Sequence, residues 1–151
     1  VYFIGETTAK ANVLGLTTDG SGRMTSPTAK TIFPNASSPA PVSGTADGLK
    51  RSAAEPLLPG DFVSLGRLTR GTQLDFFLIA DGANGGSTTF SGRRSENPDG
   101  MRHLVRIAST ATDSPYLLMA FEDQFGGGDR DYDDLLFADY AAQQKLYVRM
   151  G

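Results

Sequence analysis

The sequence predicts an all-β protein, an antiparallel two-layer β-sandwich of jelly-roll-like type. Three observations predict it. Eighteen Gly and eight Pro punctuate 151 residues, which suits many short strands better than long helices. Two apolar runs, Leu74–Ala80 and Tyr116–Phe121, have the length and flanking turn residues of strands buried at the centre of a layer. Turn signals recur about every dozen residues between the candidate strands. A hydrophobic fraction of 39% with 21% charged residues belongs to a globular chain, and the length fits one domain, residues 1–151, around one core.

Taken in order, Val1–Ile4 and Ala11–Thr18 read as strands from their β-branched and aromatic content. Asp19-Gly20-Ser21-Gly22 is a turn, and Met24–Phe33 is expected to return as a third strand. Residues 34–58 are rich in Pro, Ser, Ala and Gly and lose hydrophobic periodicity, so a long Pro/Ser-rich loop is expected. Regular structure resumes with Asp61–Leu65 and continues through the apolar run to Ala80. Ser87–Ser91 reads as a short polar strand. Asn97-Pro98-Asp99-Gly100 is a turn. Arg102–Ser109 alternates, with His103, Val105 and Ile107 on one face and Arg102, Leu104 and Arg106 on the other. Leu135-Leu136-Phe137 follows the second apolar run, and Tyr140–Met150 reads equally as helix or strand. No repeat marks a solenoid or propeller.

Charge is concentrated in one place. Residues 122–134 hold Glu122, Asp123, Asp129, Asp131, Asp133 and Asp134 against a single Arg130, a formal −5 where the whole chain carries −3. Acids this dense repel unless cations or donors neutralise them. Hard oxygen ligands on a flexible glycine frame suit Ca²⁺ best among the common ions. Asp129-Arg130-Asp131-Tyr132-Asp133 has the D-x-D-x-D opening of many calcium loops. An EF-hand would need Gly and Glu where Asp134 and Tyr140 stand, and a β-helix calcium repeat would need several copies. Gly126-Gly127-Gly128 allows a sharp turn. The competing reading is a solvated acidic hairpin. The ligands expected are Glu122, Asp123, Asp129, Asp131 and Asp134, with Asp133 as alternate. Asn97 or Asp99 could complete the shell from a neighbouring loop, although an Asx turn explains both.

Other chemistries find little footing. The absence of Cys removes disulfides, thiolate metal sites and cysteine nucleophiles. His103 is the single histidine, and a transition-metal site usually needs several. No nucleophile elbow or phosphate-binding loop is present. There is no Trp, and the Phe and Tyr residues fall mostly in core-like runs, which leaves no aromatic platform for glycoside hydrolysis. A non-catalytic protein is therefore expected. Net charge and the sparse Lys50, Arg51, Arg93 and Arg94 argue against nucleic acid. No apolar run approaches the roughly 18–20 residues that span a bilayer. The start VYFIGETT, without Met or a signal-like segment, suggests a mature or trimmed product.

PGDFVSLGRLTRGTQLDFFLIADGANGG, NPDGMRH and SPYLLMAFEDQFGGGDRDYDDLLF together resemble the bacterial family called domain of unknown function 4114, over about residues 59–137. The most distinctive element is FED…GGGDRDYDD. Many relatives read DRDYND; Asp133 here keeps an oxygen ligand. VYFIGETTAKANVLGL resembles strands that often precede this domain. The resemblance implies a module of secreted or surface-anchored bacterial proteins, often in large adhesin-like chains, and supplies no enzyme activity. The resulting expectation is a calcium-stabilised adhesion or matrix module at the cell surface, with a surface glycan or another extracellular protein as partner. The alternative is a lectin-like domain whose Ca²⁺ also touches sugar hydroxyls.

Overall fold

The structure, a computed structural model, describes residues 1–37, 57, 59–107, 116–140 and 147–148. The strands are β1 (Tyr2–Gly5), β2 (Val13–Thr17), β3 (Lys30–Phe33), β4 (Gln73–Ile79), β5 (Thr89–Ser91), β6 (Leu104–Ile107), β7 (Tyr116–Phe121), β8 (Leu135–Tyr140) and β9 (Tyr147–Val148). One antiparallel sheet has the order β1-β8-β7-β6, and the other has β3-β2-β4-β5. The fold is the β-sandwich that the sequence predicts. β9 departs from the antiparallel rule, running parallel to β4 at Gln73 and Leu74. β2 pairs Asp75–Ile79 of β4 and β5 pairs Phe77–Ile79, so β9 meets β4 at the end that neither of them covers.

The core lies between the sheets. Phe3, Leu104, Met119, Phe121, Leu135 and Phe137 come from one, and Leu14, Leu16, Ile32, Phe33, Leu74, Phe76, Leu78 and Phe90 from the other. Rings interlock across the gap, with centroids 4.9 Å apart for Phe76 and Phe137 and 6.1 Å for Phe3 and Phe33, distances at which aromatic pairs add to simple burial. β4 is buried on both faces because Phe77, on its outer side, lies across Gly15 of β2. A Cβ at residue 15 would come within 2.3 Å of that ring.

Both apolar runs occupy interior positions of their sheets, but β7 is buried only in its second half, Met119 to Phe121. On β6 the fully buried core residue is Leu104, while Val105 and Ile107 are half-buried. Two expected strands are shorter in the structure. Of Met24–Phe33, only Lys30–Phe33 pairs. Ser26 and Thr28 instead close a turn with one another, and Ser26 also donates to Asp19, since short hydroxyl and carboxylate chains compete with ladder bonds. Asp61–Leu65 makes a single bridge, Phe62 to Tyr2. Its backbone runs beside β1 through Phe3 N–H to Asp61 O and Val63 N–H to Val1 O. Most of the 34–58 loop lies outside the described residues, as does the Tyr140–Met150 segment apart from Tyr140, Tyr147 and Val148. Among the described residues no helix is long and apolar enough to cross a membrane.

Candidate metal centre

The acidic residues form the connection between β7 and β8, whose last pair is Phe121 with Leu135. Two central strands of one sheet therefore fix both feet of the loop. Glu122 N–H still bonds His103 O at 2.8 Å, so the sheet continues one residue into the acidic segment. Between the feet the chain reverses sharply. Gly126, Gly127 and Gly128 all have positive φ, and so do Arg130 (60°) and Tyr132 (56°). Non-glycine residues seldom adopt this region. Here they alternate with Asp129, Asp131 and Asp133, and the carboxylates of Asp129 and Asp131 each accept from the backbone N–H two residues on. That is the local bonding Asp favours in turns. Tyr132 is anchored as its hydroxyl donates to Arg102 O at 3.0 Å.

This geometry gathers the acids into three groups, in each of which the candidate ligand oxygens lie within 4.8 Å of one another: Glu122, Asp129 and Asp131; Glu122, Asp123 and Asp134; and Asp131, Asp133 and Asp134. Glu122, Asp123 and Asp134 are buried, whereas Asp129 and Asp131 are exposed. Glu122 is the anomaly. It is fully buried, and neither carboxylate oxygen accepts a hydrogen bond from any described residue. Leaving such a group bare costs far more than leaving a surface acid bare. Burial pushes its pKa up to about 8, with further upward pressure from Asp134, Asp129 and Asp123. Asp131 is raised to about 6, first by desolvation and then by its acidic neighbours. Asp134 is raised by burial although it accepts from Asp123 N–H at 2.9 Å.

Asp123 is differently placed. Lys10 Nζ sits 2.9 Å from Oδ1 and 2.8 Å from the Asp123 carbonyl, and Asn12 Nδ2 donates to Oδ2 at 2.8 Å. Asn12 also accepts from Asp81 N–H at 2.9 Å, which ties this acid to the loop after β4. Thr7 donates its hydroxyl to an Asp133 carboxylate oxygen. The β1–β2 connection thus supplies donors from more than a hundred residues away. Nothing local in the sequence marks Thr7, Lys10 or Asn12 for this role.

Asp99 stands outside the three acidic groups. Asn97 is engaged by backbone alone, accepting from Ser91 N–H at 2.6 Å and donating to Ser91 O and Met101 O. Asp99 accepts from Met101 N–H at 3.0 Å and Gly126 N–H at 2.7 Å. Burial raises the pKa of Asp99, but those two donors and His103 outweigh it, so the net shift is downward. His103 is buried, stacked 3.8 Å from Phe90, with Nδ1 2.8 Å from Glu122 O and Nε2 2.7 Å from Asp99 Oδ2. These residues form the wall that holds the glycine turn and the Glu122 backbone.

The donor set facing the loop is oxygen only, since both His103 nitrogens are already bonded. Hard carboxylate oxygens of this number fit Ca²⁺ and disfavour softer transition metals. The resident donors also fit a bound cation in another respect: Gly128 carries no side chain where a Cβ would lie 2.7 Å from Glu122 Oε1, so the glycine leaves room for that carboxylate. No curated protein and no solved structure matches the chain. The model of one family, described as domain of unknown function (DUF4114), matches residues 68–140. That segment runs from just before β4 through β8 and contains every one of the clustered acids, and over it the chain is similar to the family that its motifs resemble.

Proposed function

We propose that this is a non-catalytic, calcium-binding β-sandwich module of an extracellular protein, in a bacterial surface adhesin or matrix chain. One observation carries the calcium reading: Glu122 is buried with both oxygens unpartnered, amid Asp123, Asp129, Asp131 and Asp134. A divalent cation supplies the missing partner and cancels the repulsion. Bound ion then ties the feet of β7 and β8 together, so binding energy is also folding energy. The surface location rests on the family resemblance, and extracellular calcium is abundant enough for the modest affinities of such modules.

Melting curves in millimolar Ca²⁺, in Mg²⁺ and in a chelator test this. A rise in Tm specific to calcium is expected, because a smaller ion that demands octahedral geometry fits a multidentate carboxylate loop poorly. Equal Tm in all three solutions would sink the proposal. A second reading is favoured by the exposure of Asp129 and Asp131: an ion held partly by surface acids keeps coordination positions open to sugar hydroxyls. A glycan array with and without calcium separates the two, calcium-dependent hits favouring the lectin and a blank array a structural ion.

A further inference from the structure

We infer that the β7–β8 loop takes two Ca²⁺ ions, one among Glu122, Asp129 and Asp131 and one among Asp131, Asp133 and Asp134, with the Asp131 carboxylate between them. The inference rests on the calcium reading above. The three acidic groups form a closed ring in which each pair shares one residue: Glu122, Asp131 or Asp134. One of the three already holds a cation. Asp123, which belongs only to the group with Glu122 and Asp134, has the Lys10 ammonium at 2.9 Å and the Asn12 amide on its other oxygen.

Among the described residues, no such internal cation touches the carboxylates of the remaining two groups. Asp133 takes the neutral Thr7 hydroxyl, Asp134 takes one backbone N–H, and Glu122 has no partner at either oxygen. With the Asp123–Lys10 pair set aside, five carboxylates remain. A single dication leaves three negative charges in the loop, two of them on the buried Glu122 and Asp134 when the ion sits outermost. Two dications leave one. Carboxylates bridge calcium ions readily because each has two oxygens, and the shared Asp131 lies where the two groups meet.

Equilibrium dialysis of the calcium-stripped chain against Ca²⁺, with calcium per chain counted by atomic emission, decides the matter. Two ions per chain are expected. Asp129 and Asp133 each belong to one of the two groups alone, so Asp129→Asn and Asp133→Asn are each expected to bind one ion. One ion at saturation in the unaltered chain overturns the inference and leaves the calcium reading standing. Two ions retained in both variants overturns the placement. No bound calcium overturns both readings. Where a variant fails to fold, judged by its near-ultraviolet circular dichroism, the count on the unaltered chain still decides between one ion and two.

Discussion

Replacement of Glu122 by Gln should change how stability depends on pH, and the sign of the change depends on calcium. In calcium-free protein, burial together with Asp134, Asp129 and Asp123 raises Glu122 from 4.5 to about 8. An acid raised in this way takes up a proton on folding, so its contribution to stability is complete below about pH 4.5 and is lost as pH climbs to about 8. Each pKa unit corresponds to about 1.4 kcal/mol. The exposed Asp129 and Asp131 leave the outer side of the loop open to water and salt, which screens the effect to roughly 2 kcal/mol in total. For a chain of this size that is about 4–8 °C in Tm. Calcium reverses the slope. A group with a pKa of about 8 is roughly nine-tenths protonated at pH 7, so calcium affinity should be about tenfold weaker at pH 7 than at pH 9. Calorimetric melts and calcium titrations from pH 5 to 9 supply both profiles. The Glu122→Gln chain should lose the calcium-free decline between pH 7 and 8, while keeping a slope at lower pH from Asp131, which is raised to about 6. Profiles that run parallel for the two chains would refute the reasoning.

Asp131→Ala combined with Asp134→Ala should lower Tm markedly in calcium and little in chelator; equal losses in both, measured by calorimetry, would count against a metal role. Lys10→Ala strips the ammonium from the buried Asp123 and should cost about 2 kcal/mol in urea unfolding with or without calcium, a loss confined to one condition being the contrary result. Gly128→Ala adds a Cβ 2.7 Å from Glu122 Oε1 at a residue with φ of 48°. It should cost roughly 1–3 kcal/mol from the backbone alone and weaken calcium binding besides; a neutral outcome in both melts and titrations would show that the loop relaxes around the methyl.

Legibility in the sequence varied with the range of the interaction. The acidic loop stood out because six acids and three glycines lie within fourteen residues of chain, and the strands on either side of it are apolar runs. The extents of β4 and β7 were readable for the same reason. Asp61–Leu65 was readable as extended, but its single bridge to Tyr2 was not, because it depends on the course of β1 beside it. The contrast between Asp123 and Glu122 was invisible. The two acids are adjacent and chemically alike, yet one meets Lys10 and Asn12, while the other finds no donor among the described residues. Composition likewise could not distinguish Asn97 and Asp99 as scaffold from Asp129 and Asp131 as members of the acidic groups, because that depends on which backbone N–H groups the folded loops bring to them.

By itself, the sequence determined the all-β class, the two apolar interior strands and the place of the acidic hairpin, because apolar runs, turn residues and local charge are properties of neighbouring residues. Only the tertiary structure decided the strand order, the parallel docking of β9 and the division of six acids among three groups. Those depend on contacts between residues far apart in the chain, Lys10 with Asp123 among them, and no short-range pattern encodes where a sandwich brings its ends together.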